Sequence, residues 1–199
     1  MVRLKPSQAA LNLGLHYEKK APKFLRDVYR DLPEVQRSST LSHVMTGMLA
    51  GRPLTVFQTM YMIPAGAVTV PVSYVVYSTT APEWPLTVVT RRRFFDRWLD
   101  RLRRRADVVL DDPEFAKAMR VYAEDEDTSI LILSLEMQRF LLEKPHITWR
   151  IGRSPKASLP SGGRVDMLYS GTLKPDRIGA SIERMARFWS LVPEVMAVG

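Results

Sequence analysis

Cysteine is absent from all 199 residues. That excludes a disulfide scaffold, thiolate catalysis and any zinc or iron–sulfur site with sulfur ligands. Histidine is scarce, and His16, His43 and His146 stand too far apart to suggest a histidine-rich metal centre. No metal, redox group or other cofactor is expected. There is no HExxH pair, no GxSxG nucleophile elbow and no GxxxxGK[ST] phosphate loop. Charge is missing over one long stretch: Pro53 to Pro82, thirty residues, contains no Asp, Glu, Lys or Arg. That length permits a membrane-spanning helix. Pro53, Pro64, Pro71 and Pro82 interrupt it, however, and Val, Thr and Tyr dominate, so a β-hairpin is the better reading.

The residues that are present describe an ordinary folded chain. Hydrophobic residues make up 46% and charged residues 25%, which excludes disorder over most of the length. Lys and Arg outnumber Asp and Glu by 29 to 21, a net charge of +8. Such a balance attracts polyanions: nucleic acid, anionic lipid or an acidic protein. The opening stretch MVRLKPSQAALNLGL lacks an apolar core and a cleavage site. No signal peptide is read there, and a cytoplasmic location is expected, the cytoplasmic face of a membrane included.

Periodicity predicts an α+β fold, an antiparallel β-meander with packed helices in a single domain. Residues 1–41 read as a helical part, with helices over 7–15 and from Ala21 to Asp31, the second stopped by Pro33. His16 and Tyr17 read as an extended link. Residues 42–90 read as the meander: strands over 42–49, 54–62, 70–78 and 84–89, with turns at Ala50-Gly51-Arg52-Pro53 and Pro64-Ala65-Gly66. Residues 91–199 read as mixed helix and strand. A helix is predicted over 91–105, where Phe95, Trp98, Leu99 and Leu102 make one apolar face. Val108 to Leu110 reads as a strand. Asp112-Pro113-Glu114 and Ser134 read as helix starts. Strands follow over 146–152 and 164–169, separated by a basic loop, and a last helix runs from Asp176 to Leu191.

Two surfaces carry the functional expectations. The first is the predicted basic helix, where eight arginines face two aspartates, a net +6 in fifteen residues. Arg91, Arg92, Arg93, Arg97, Arg101, Arg104 and Arg105 are the candidates for binding an anion or a lipid headgroup. A solvated face laced with Asp96 and Asp100 pairs is the plainer alternative. The second is the hairpin 54–78 with its apolar tip. Met62, Ile63, Pro64, Ala65 and Val68 are the candidate partner-binding residues, because uncharged tips are seldom left uncovered. The acidic run 124–127 lacks the ligand spacing of a calcium loop and reads as a helix start. No catalytic residue is marked.

The segments LNLGLHY (11–17), TGMLAGRPLTVFQTMY (46–61), VVLDDPEFAKAMRVYAEDEDTSILIL (108–133) and SLEMQRFLLEK (134–144) resemble a family of uncharacterised bacterial proteins. Some of its members carry N-terminal transmembrane helices and others do not. The resemblance implies an α+β domain and brings no catalytic residues with it. The chain departs from the family pattern at Phe57-Gln58-Thr59, where an aspartate after the aromatic is more usual.

The expectation is a non-catalytic interaction or accessory subunit of a larger, membrane-associated assembly. Its partners are protein subunits of that assembly or an anionic membrane surface. Two other readings stay open. A nucleic-acid-binding protein needs the basic residues of 91–105 and 153–164 in one stripe. An enzyme with a dispersed site needs a pocket that gathers His146, Asp166 or Glu124.

Overall fold

Alternating apolar residues between Thr40 and Ala81 form three long strands, as a period of two requires. In the computed structural model, residues 4–36, 40–66, 68–92, 106–153 and 162–197 are described. Among them, nine strands form one sheet: β1 His16–Lys20, β2 Thr40–Leu49, β3 Arg52–Ala65, β4 Val68–Ala81, β5 Thr87–Arg91, β6 Ala106–Asp107, β7 Met119–Ala123, β8 Thr148–Gly152 and β9 Gly163–Ser170. The order across the sheet is β1-β2-β3-β4-β9-β8-β5-β7-β6. Every ladder is antiparallel.

The α+β class and the meander stand, with one change of order. The meander runs through β1 to β4, and then β9 and β8 separate β4 from β5. Pairing with β9 follows from shape and burial over long sequence separation, which local patterning does not encode. His16 and Tyr17 are not a link but the start of β1. Pro33 does not end a helix. It opens a short one, since its ring suits a first turn. Residues 108–110 are not a strand; the β-pairing lies just before them, at Ala106–Asp107.

Helices cover both faces of the sheet. On one face α2 (Lys23–Val28), α3 (Pro33–Gln36) and the turn between them bury Leu25, Val35 and Leu32 against Phe57, Val76 and Leu168. On the other lie α1 (Pro6–Asn12), α4 (Pro113–Ala118), α5 (Glu126–Ile132), α6 (Leu135–Leu142) and α7 (Ile178–Leu191), and α8 (Glu194–Ala197) follows α7. The larger core centres on Trp149, whose ring stacks on Phe188 at 4.9 Å and meets Phe140 edge-on at 5.9 Å. The helix starts follow their sequence signals. Asp112 accepts from the Glu114 and Phe115 amides, and Ser134 accepts from the Met137 amide.

A charged cluster joins α2 and α3 to the sheet. Asp31 lies between Arg164 and Arg150, and Arg164 also meets Asp166 at 3.3 Å. All four side chains are buried. Ser78 donates to Asp166 at 2.6 Å, and the Arg164 guanidinium sits 4.6 Å over the Tyr29 ring. Burial alone would loosen the Arg164 proton; Asp166 and Asp31 outweigh it and push its pKa up.

Candidate functional site

The register of β3 on β4 extends past both neighbours. Among the described residues, β2 reaches β3 only as far as Met60, and β9 reaches β4 only as far as Tyr74. The five pairs from Tyr61↔Val72 to Ala65↔Val68 therefore form a two-stranded ribbon that overhangs the sheet. At 3.4 Å per residue it projects about 15 Å. Gly66, at φ +65, supplies the left-handed backbone of the turn. The stacked rings of Tyr61 and Tyr74, 6.2 Å apart, close its base.

Beyond its Tyr61↔Val72 base, the ribbon is exposed and uncharged on both faces. Ile63, Ala65, Val68 and Val70 alternate onto one face, and Met62, Pro64, Thr69 and Pro71 onto the other. Met62 is 49% exposed and Val68 63% exposed. All five predicted contact residues, Met62, Ile63, Pro64, Ala65 and Val68, lie on this overhang and face solvent.

The two prolines guard its edges. The Gly171 amide donates to the Ser73 carbonyl at 2.7 Å, so Ser73 turns its polar backbone away from β3. Pro71 lies two residues on and shares that orientation, as does Thr69, the partner of Pro64. Each ring nitrogen thus points out of the ribbon, one at each edge, where an N–H would invite another strand.

Of the predicted anion-binding residues, Arg91 ends β5 and is exposed, and the Arg92 side chain donates to the Ala116 carbonyl. Arg93, Arg97, Arg101, Arg104 and Arg105 lie outside the described residues, with Phe95, Trp98, Leu99, Leu102 and most of the basic loop 153–163. Beside Arg92 is a cavity of about 150 Å³ lined by Val108, Leu110, Phe115, Met119 and Val121.

The groups that a dispersed active site would need are held apart. Glu124 accepts from the Leu86 amide at 3.0 Å, whereas Asp166 belongs to the buried cluster. His146 is exposed beside the Tyr169 ring; partial burial and then Lys144, Arg184, Arg91 and Arg177 push its pKa down. His43 lies 2.8 Å from the Tyr17 hydroxyl. In the acidic run, Asp125 caps α5 by accepting from the Thr128 amide, and the Thr128 side chain first and then that amide lower its pKa. The Asp31–Arg164 cluster was missed by sequence reading. Its only signal is Arg164 and Asp166, two charges alternating onto one face of an otherwise apolar strand.

No family model matches the chain, and no curated protein matches it either. A solved structure does. The crystal structure of the mycobacterial trehalose monomycolate transport factor A, TtfA, aligns with a TM-score of 0.57 over 94% of each chain, at 12% sequence identity. The two chains share a fold. Among the described residues, no helix is long and apolar enough to cross a membrane.

Proposed function

We propose that this chain is a non-catalytic accessory subunit of a larger, transport-associated assembly. It meets its partner through Met62, Ile63, Pro64, Ala65 and Val68. The observation that carries this reading is the overhanging ribbon, which exposes apolar side chains on both faces with no charge to keep it solvated. Proline at both edges makes the contact one of side-chain packing rather than strand addition. The fold shared with a mycobacterial transport factor supports the transport association, and the location in this reading is the cytoplasmic face of a membrane. Arg91 and Arg92 steer the approach, adding rate and salt dependence more than affinity.

The test is the double substitution Ile63→Asp/Val68→Asp, two side chains on one face of the ribbon. The protein is captured from its native source, its co-purifying subunits are identified, and capture is repeated with the variant. The variant is expected to keep its circular dichroism spectrum and melting temperature while losing those subunits. Normal assembly of the folded variant overturns the reading.

A further inference from the structure

Among the described residues, the strand register gathers six cations at the ribbon end of the sheet. At the ribbon end lie Lys19 and Lys20 closing β1, Arg91 closing β5, Lys144 just before β8, and Lys174 and Arg177 just after β9. All six are exposed. They flank the ribbon on both sides, the first two across β2 and the others across β9. Of the nearby carboxylates, Glu18 precedes Lys19 on β1 and lies 3.4 Å from His16, Glu143 is taken up by Arg184 and Arg187 at 2.8 and 2.7 Å, and Asp176 sits between Lys174 and Arg177 in sequence. The opposite end holds Glu83, which pairs with Arg153, Arg52 over the Trp189 ring, and the acidic run 124–127 that follows β7.

We infer that the ribbon end docks on an anionic lipid bilayer, the tip entering the interfacial layer while the six cations rest over the headgroups. This deepens the accessory-subunit reading and rests on its ribbon. Three observations select a bilayer over a protein groove. The ribbon is apolar on both faces, so a groove has to enclose it, whereas lipid surrounds an inserted tip on every side. Its edges each lose a donor to proline, which lowers the cost of leaving water. The cations stand on both sides of its base along the sheet rather than in a patch on one side. The positive field there is felt by His146, whose pKa falls first through desolvation and then through Lys144, Arg184, Arg91 and Arg177. Interfacial elements sit about 5–10 Å deep, which two or three residues of the ribbon tip reach.

The absence of cysteine allows site-specific labelling. Met62→Cys and, at the far end, Glu126→Cys are each labelled with an environment-sensitive fluorophore. They are titrated with vesicles containing phosphatidylglycerol and with pure phosphatidylcholine vesicles. Emission at position 62 is expected to shift to the blue on the anionic vesicles only, with none at position 126. Each cation near such a surface contributes about five-fold in binding. Lys144→Gln/Lys174→Gln/Arg177→Gln should therefore weaken association by about 100-fold, and Ile63→Asp/Val68→Asp should abolish the shift from a labelled Met62→Cys. Equal binding to neutral vesicles, a shift at position 126, or no binding overturns the inference. If the chain ignores vesicles yet loses its protein subunits on Ile63→Asp/Val68→Asp, the membrane inference falls and the accessory-subunit reading stands.

Discussion

A single nitrogen of Arg164, Nη2, donates to both carboxylate oxygens of Asp31, at 2.7 and 2.8 Å, although 133 residues separate the two. The pair pins α3's approach to the centre of the sheet. Arg164 also donates to the Val28 carbonyl at 2.9 Å, so it holds α2 as well.

Removing one partner of a buried pair leaves the other charge poorly compensated. Asp31→Ala is expected to destabilise the fold by about 3–5 kcal/mol. Urea unfolding followed by circular dichroism measures it. A loss under about 1 kcal/mol means the cluster behaves like a surface pair.

Tyr77 gives a pH signature. Burial pushes its pKa up to about 12, against the opposing hydrogen bond with Ser181. The folded state therefore keeps a proton that the unfolded state gives up near pH 10. Its contribution is intact below pH 10 and is lost as pH rises towards 12. Melting temperature should fall across that window, and less steeply in Tyr77→Phe. An unchanged slope assigns the alkaline loss to other groups.

Gly152 tests a close approach. Its φ is +98, and a Cβ there would lie 2.5 Å from the carbonyl oxygens of both Trp84 and Pro85. These atoms are backbone and cannot rotate away. Gly152→Ala should cost about 3 kcal/mol or more, through strain and overlap together. Differential scanning calorimetry reads the shift, and a melting point within error of the parent refutes it.

The edge prolines predict an oligomeric state. Pro64→Val/Pro71→Val restores an outward N–H at each ribbon edge, and edge-to-edge pairing should follow. Light scattering after size exclusion should show concentration-dependent dimers or larger species. A variant that behaves like the parent in the same run means the edges are protected by something else.

Much of the fold is legible because its signals are local. Ala50 and Gly51 take positive φ where the first turn was read, and Asp112 and Ser134 cap helices that their neighbours predict. The exposed tip was legible for the same reason, since thirty uncharged residues announce themselves without a structure. The placement of β8 and β9 was not. Nothing near Ser78 says that its cross-strand neighbour is Asp166. Arg150, Arg164, Asp31 and Asp166 were also hidden, because a charge in a strand is ordinarily read as facing water. The gathering of cations at the ribbon end needed the register: Lys20 and Arg91 look unrelated until β1 and β5 share a sheet.

The strand order sets a timing problem during synthesis. β4 pairs with β3 as soon as it leaves the ribosome, but its other edge waits for β9, whose first residue is Gly163. At 5–20 residues per second the wait is roughly 4–16 s. For that interval an uncharged strand stands open in a crowded cell, with the aggregation risk that such edges carry. Only cover over residues 74–81 themselves closes this gap, since the ribbon lies beyond the edge that β9 later fills.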